Sequence, residues 1–176
     1  MKTPLEISTQ DYPAFYSGYV NHVLEAYGND PWPAMKVQAE ELPDWLADIP
    51  TDKHTYQYEE GKWSVKQVIG HLIDGERIFG IRCLHFARQE SQSLIGFDEN
   101  HYVTAANFDD RPWQSLLAEF RLARLSNIAM FEGFEDAWWE QKGTANGSEF
   151  KLAAMPFIMV GHVMHHFSIL KSRYGI

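Results

Sequence analysis

The sequence predicts an all-α protein, a four-helix bundle with a short extra helix at its N-terminal end. Apolar residues recur at helical spacing along four long segments, and no segment shows the sustained alternation that is typical of a half-buried strand. Proline and glycine residues cut the chain into these segments. Helices that are apolar along one face bury that face against each other, so we expect a bundle.

The first part of the chain contains two predicted helices. A short helix is expected over residues 10–26 and a second from Pro33 to Asp48, where Pro43 interrupts the regular pattern. Residues 50–62 are polar and rich in turn-forming types, so we expect them to connect this helix to the next.

The clearest helix start in the sequence lies at Ser64. Its hydroxyl can accept a hydrogen bond from the amide of Gln67, whose side chain can reach back to the Ser64 amide. Trp63 can pack on Val68 across this cap. We therefore predict a long helix from this point to about Gln89.

A long connection and a third long helix follow. Residues 91–110 are predicted to be irregular, with about one turn of helix near 100–106, and such a connection is longer than bundle loops usually are. The next helix is expected to start after Pro112 and to end at Gly133.

The last part of the chain is predicted to be a loop followed by the most apolar helix. The loop covers residues 142–148, and the helix is expected from Phe150 to Arg173. Pro156 lacks an amide proton, so it either lies near the true start of this helix or kinks it.

Composition limits the possible functions. The chain has 176 residues and a formal net charge of −9, so one domain spanning residues 1–176 is expected. No basic cluster suits a phosphate backbone, and no apolar stretch has the length of a signal peptide or membrane span. We expect a cytoplasmic protein with neither nucleic acid nor membrane as a partner. The single cysteine, Cys83, cannot form an internal disulfide.

Eight histidines stand out beside that one cysteine. His162 and His166 lie about 40° apart on one helical face and can bind one metal ion together, whereas His162 and His165, about 60° apart, are an equally possible pair. Val163 stands where the HExxH motif of zinc proteases has its glutamate, so that chemistry is not supported. His71 lies in an apolar stretch where an imidazole needs a partner, which makes it the candidate third ligand.

Three imidazoles without a carboxylate leave one coordination position open, which is typical of a catalytic metal site. Zinc is the default metal for such a site, and nickel, iron, cobalt or manganese also suit nitrogen ligands. The alternative interpretation is that histidines at this spacing are ordinary structural or surface residues.

Several sequence blocks together resemble the DinB-like superfamily. Their order and spacing match over about residues 33–174, and the combination is far more specific than any one block. The blocks are Trp63-Ser-Val-Lys-Gln-Val-Ile-Gly-His71-Leu-Ile-Asp74-Gly-Glu76-Arg77, Arg82, Gly96-Phe97-Asp98-Glu99, Phe108-Asp-Asp-Arg111 and Gly161-His162-Val-Met-His165-His166.

The resemblance implies a bundle with up-down-down-up connections, and a homodimer. It also implies one metal ion held by His71, His162 and His166, with His165 as their neighbour. Some members of this family transfer a low-molecular-weight thiol such as bacillithiol, mycothiol or glutathione to a small electrophile. A thiol S-transferase is therefore the leading hypothesis, with the thiol bound at the metal as a thiolate.

Two other functions stay open: a hydrolase that uses water activated by the metal, and a non-catalytic metal-binding module of a stress response.

Three other residues near His71 in the sequence have a predicted or possible role. Cys83 lies about 120° from His71 around the helix and is predicted to be a packing residue. Arg82 could bind a carboxylate of a substrate or thiol cofactor, or form an ion pair. Asp74 could orient a ligand imidazole or pair with Arg77.

Overall fold

The computed structural model describes residues 3–176, which form seven α-helices and one β-hairpin. Short 3-10 turns precede or join several of these elements. The elements are α1 (Ser17–Tyr27), α2 (Trp32–Glu40), α3 (Leu42–Ala47), α4 (Val65–Ala87), α5 (Glu99–Ala105), α6 (Trp113–Glu132), β1 (Lys142–Ala145), β2 (Ser148–Lys151) and α7 (Met155–Tyr174).

The predicted four-helix bundle is confirmed. Its first helix consists of α2 and α3, which divide just before Pro43, and α4, α6 and α7 are the other three. The short helix α1 is the extra element and packs along α7. Two adjoining clusters of apolar side chains fill the interior of the bundle.

The direction of each helix follows from which residues touch. In the contacts between α4 and α6, the residue numbers of both helices rise together, so these helices are parallel. In the contacts between α4 and α7, the numbers of α7 fall as those of α4 rise, so these helices are antiparallel. This is the up-down-down-up order, and the parallel pair requires the long connection between residues 88 and 112. The contacts are Ser64–Asp109, Glu76–Arg124 and Gly80–Asn127 for the first pair of helices, and Trp63–Tyr174 and Gly75–His162 for the second.

The predicted cap of α4 is present in full. The Ser64 hydroxyl accepts a hydrogen bond from the Gln67 amide at 3.1 Å, and the Gln67 side chain accepts one from the Ser64 amide at 2.8 Å. The Ser64 hydroxyl also donates to the carboxylate of Asp109, just before α6. The start of α4 is therefore held to the start of α6, two turns before His71.

The hairpin is the one regular element that differs in kind from the sequence prediction, which gives a loop over residues 142–148. Asn146 and Gly147 form its turn with positive φ angles of 50° and 71°. Asn-Gly is a strong signal for such a turn, although two strands of four residues are too short to show a clear alternation. Because Phe150 belongs to β2, the last helix begins at Met155, and Pro156 lies in its first turn without a kink.

The last helix with its preceding turn, Leu152–Tyr174, is long and apolar enough to cross a membrane by length and composition alone. In the described structure, 67 % of the apolar 18-residue window within it is buried, as expected for a core helix of a bundle. Met155 and Met159 of this helix are fully buried and belong to the core.

Close approach of α1 and α7 depends on Gly161. A Cβ atom at this position would lie 2.3 Å from the carbonyl oxygen of Tyr19, and this backbone atom cannot move aside without shifting α1. We expect Gly161→Ala to lower the free energy of unfolding by about 1–3 kcal/mol, as overpacking does. Urea unfolding followed by circular dichroism measures it.

Gly18→Ala is the matched control for this substitution. Gly18 also lies in a helix, but nothing would come within 4 Å of an added Cβ atom. Alanine there should leave stability unchanged or raise it by up to about 1 kcal/mol through helix propensity. Equal effects of the two substitutions would show that the α1–α7 contact is not tight.

Candidate metal centre

Three histidines meet where α4 and α7 face each other. His71 projects from the second turn of α4, and His162 and His166 project from successive turns of α7. Their exposed fractions are only 7 %, 5 % and 9 %. The antiparallel packing of the two helices therefore brings together residues that are 91 and more positions apart in the chain.

The imidazoles converge through their nitrogen atoms. Nε2 of His71 lies 2.9 Å from Nε2 of His162, and one ligand atom from each of the three residues lies within 4.8 Å of the others. The ring centres are 4.7–4.8 Å apart in all three pairs, each edge to face. This arrangement suits three nitrogen donors around one ion.

His165 lies outside this cluster. Its side chain is half-buried, and its ring packs 5.1 Å from the rings of both Tyr19 and His166. In the structure, His162 and His166 both face His71. Helical spacing alone had left His165 as an equal candidate for the second metal ligand on α7.

Gly75 makes room for the His162 ring. A Cβ atom at Gly75 would lie 3.0 Å from Cε1 of His162, so any larger residue would press on the imidazole. Aromatic rings enclose the rest of the cluster: Trp63 lies 4.7 Å from His71, while Phe79 and Tyr19 lie 5.5 and 5.7 Å from His162, measured between ring centres. These contacts hold the imidazoles in place and limit the access of water.

Burial keeps all three imidazoles neutral. Burial first, and nearby histidines second, lower the pKa of His71 to about 4 and that of His166 to about 3. The pKa of His162 also lies well below its usual range, first through burial and then through His166, His71 and Arg124. Neutral imidazoles have a free nitrogen lone pair at neutral pH, which metal binding requires.

A buried ion pair lies beside the cluster, and sequence reasoning missed it. Arg124 of α6 and Glu76 of α4 are 0 % and 1 % exposed in their side chains and are joined at 2.7 Å. Asn127 donates to the same carboxylate at 3.0 Å. Burial raises the pKa of Glu76 and lowers that of Arg124. Arg124 lies on the apolar face of α6, four residues after Phe120. A charged residue at an apolar position of the helix is the sequence feature that could have indicated a buried ion pair.

The other predicted candidates lie away from the imidazoles. Cys83 is fully buried, and burial raises the pKa of its thiol, which confirms its packing role. Burial also raises the pKa of Asp74, and its charged neighbours are Arg77, Glu119 and Arg111 rather than a histidine. Arg77 pairs with Glu119 at 2.6 Å instead of with Asp74.

The remaining histidines divide by exposure. His22 and His101 are exposed, and the His85 ring lies 2.8 Å from the carbonyl oxygen of Gln92. His54 is buried, because it is only 8 % exposed and stacks on Trp113 with ring centres 4.3 Å apart. A connecting segment thus supplies a core residue that helical periodicity cannot reveal.

Two cavities flank the cluster, and α5 lies between them. One, of about 280 Å³, is lined by His166, Trp63, Tyr58, Tyr174 and Asn100, among others. The other, of about 260 Å³, is lined by Tyr19 and Arg82, and also by Glu99. Since Glu99 and Asn100 are consecutive, the first turn of α5 forms part of both cavities. The connection predicted to be irregular therefore lines both cavities.

The fold and this cluster define a class: helical-bundle proteins with a three-histidine candidate metal centre between two of the helices. The family model of the DinB superfamily matches residues 34–170. The chain belongs to the DinB superfamily, which confirms the resemblance carried by the sequence blocks.

Two relatives place the chain among known proteins. A protein of Bacillus licheniformis, described as a candidate metal-dependent hydrolase, is 24 % identical over 156 residues that cover 78 % of this chain and 88 % of that protein. The solved structure of YfiT from Bacillus subtilis covers 99 % of this chain and 94 % of its own, with a TM-score of 0.65 and 20 % identity. YfiT is described as a candidate metal-dependent hydrolase with an unusual four-helix bundle topology, and the likeness shows a common fold.

The lowered pKa values predict how the metal-free protein responds to acid. The unfolded chain binds protons at its histidines near pH 6.5, whereas His71 and His166 in the folded protein do so only near pH 4 and 3. Their contribution to stability is therefore complete above about pH 6.5 and is lost as the pH falls toward 4 and 3.

Urea unfolding of the chelated protein at pH 7.5 and 5.0 tests this expectation. We expect the wild type to lose more stability between these pH values than the double variant His71→Gln with His166→Gln, in which the two groups cannot titrate. The comparison cancels the titration of carboxylates that both proteins share. An equal loss in the two proteins would contradict the lowered pKa values.

Proposed function

We propose that this protein is a metal-dependent enzyme in which His71, His162 and His166 hold one divalent metal ion. The convergence of three buried, neutral imidazoles carries the proposal, since the desolvation of three such groups at one point is costly without a common partner. The donor set favours borderline metals, and we propose zinc first among them.

A divalent cation on three neutral ligands keeps its full charge and lowers the pKa of a water or thiol that reaches it, which supplies a nucleophile at neutral pH. Side chains of the protein enclose the metal-binding imidazoles. Trp63, Tyr19 and Phe79 limit bulk water around the imidazoles, and the cavity at His166 has room for a small substrate.

Hydrolysis of a small substrate is the reaction that we propose first. The descriptions of the Bacillus licheniformis relative and of YfiT support it, because both are candidate metal-dependent hydrolases. In this proposal the cavity lined by His166 and Tyr174 receives the bond to be cleaved, and water enters from the same side.

Transfer of a thiol to a small electrophile is the second candidate, favoured by the lack of a carboxylate base. Within residues 3–176, the metal-ligating types grouped at this point are histidines alone, and Glu76 is held by Arg124 and Asn127. A thiol is far more acidic than water and needs less help to lose its proton. Cys83 is buried, so the thiol would come from a small molecule such as bacillithiol, mycothiol or glutathione.

Metal analysis tests the ligand assignment. Protein purified without a nickel column is expected to contain about one ion per chain by mass spectrometry of the metal, because a three-histidine site binds one ion. The double variant His71→Ala with His166→Ala should lose nearly all of it. His85→Ala is the matched control, since His85 lies on the same helix at the surface and should leave the metal content unchanged. A full metal content in the double variant would show that the ion binds elsewhere.

Paired assays separate the two reactions. One set uses p-nitrophenyl esters and follows hydrolysis, and the other mixes each thiol with 1-chloro-2,4-dinitrobenzene and follows thiol consumption. Hydrolysis that disappears on chelation and in the double variant supports the first proposal, and metal-dependent thiol consumption supports the second. If chelation greatly lowers the melting temperature while neither assay responds, the protein is a metal-binding module without activity of either class.

A further inference from the structure

We propose that the cavity beside Arg82 binds a carboxylate group of the substrate, and that Arg82 is the residue that recognises it. The inference rests on the proposed function, because it places one end of the substrate here and the reacting end at the histidine cluster. It assigns a substrate class, small monocarboxylates, to a site that the relatives' descriptions leave without one.

Arg82 is a buried cation without a counter-ion. It is 3 % exposed, yet no carboxylate among residues 3–176 lies within salt-bridge distance of its guanidinium group. Arg124 offers a direct comparison, because it is equally buried but paired with Glu76 at 2.7 Å. The guanidinium group contacts the Phe79 ring and the Tyr16 hydroxyl, and neither of these groups balances its charge. A buried charge is costly unless it is paired, so the missing carboxylate points to an anionic ligand.

The surroundings of Arg82 suit one carboxylate. Arg82 lines the cavity of about 260 Å³, together with Tyr16, Tyr19 and Asn146, which also have polar side chains. Arg82 lies close enough to Tyr16 to lower the pKa of its hydroxyl, against the larger raising effect of burial. Guanidinium, hydroxyl and amide groups are all donors to a carboxylate, and Arg can bind one with two parallel hydrogen bonds.

The cavity adjoins the histidine cluster. The ring of Phe79 lies 5.5 Å from the His162 ring and 5.7 Å from the guanidinium carbon of Arg82. Tyr19 lines the cavity and also packs on His162 at 5.7 Å. Both groups thus contact the same aromatic ring, which places the guanidinium carbon of Arg82 at most about 11 Å from the His162 ring.

Glu99 narrows the choice of anion. It lines the same cavity from the first turn of α5 and is exposed to solvent, so its charge repels a second negative group at this point. A single carboxylate is therefore favoured over a phosphate dianion or a polyanion. The aromatic side chains Phe15, Phe97 and Tyr19 suit a hydrocarbon chain between the carboxylate and the reacting group.

The first experiment needs no metal. Metal-free protein labelled with ¹⁵N is titrated with sodium hexanoate, and the Nε–H signal of Arg82 is identified by its loss in Arg82→Gln. We expect this signal to shift saturably with hexanoate, and to stay in place with hexanamide, which has the same chain without the charge.

The second experiment measures both ends together in the cobalt-substituted protein. 6-Mercaptohexanoate is compared with 6-mercaptohexanol through the visible spectrum of cobalt, which reports sulfur binding at the metal. The acid should bind the wild type at least about tenfold more tightly than the alcohol, as expected for a charge-assisted pair. This preference should disappear in Arg82→Gln and survive in part in Arg82→Lys. Arg88→Gln is the matched control, at the C-terminal cap of the same helix and exposed to solvent, and should keep the wild-type preference.

The two experiments fail in different ways. If hexanoate shifts the Arg82 signal but neither mercaptan changes the cobalt spectrum, the carboxylate site stands and the proposed metal centre is wrong. If both mercaptans bind the wild type equally and the Arg82 signal stays in place, the carboxylate site is overturned while the metal centre stands. Tighter binding of inorganic phosphate than of hexanoate in the first experiment would overturn the choice of a carboxylate.

Discussion

Three imidazoles packed edge to face inside the bundle are the constraint on which the rest of this structure depends. The His71 ring lies 4.8 Å from the rings of both His162 and His166 because α4 and α7 run antiparallel at close range. That approach needs Gly75 beside His162, and the cap at Ser64 fixes where α4 begins and therefore where His71 points. The bundle topology, the cap at Ser64 and the glycine at position 75 are thus all needed for the three imidazoles to meet.

The distribution of buried charge around the cluster has two parts. Glu76 and Arg124 neutralise each other within the core, so together they add no net charge next to the imidazoles. Arg82 remains unbalanced and borders a cavity one aromatic ring away from His162. In a chain with a formal net charge of −9, an isolated buried cation at this place creates a local attraction for an anion.

Much of the bundle and of the candidate site was predictable because the signals are local. The capping box occupies four consecutive residues, and the shared face of His162 and His166 follows from helical geometry. The β-hairpin, the burial of His54 and the pairing of Arg124 with Glu76 were not predicted. Each depends on contacts between distant segments, or on strands too short to show periodicity. The resemblance to the DinB-like superfamily supplied the helix order, which propensity and periodicity do not contain.

By itself the sequence determined the helices, their caps and the faces on which the histidines lie, since these depend on residues within a few turns of each other. Helical spacing left His165 open as a partner of His162, and the tertiary structure brings His71 within reach of His162 and His166 while His165 stays outside, as the family resemblance implies. The tertiary structure also decided which buried arginine has a carboxylate partner and which does not. The physical reason is that convergence across helices depends on their order, direction and spacing, and these are set by packing of the whole chain.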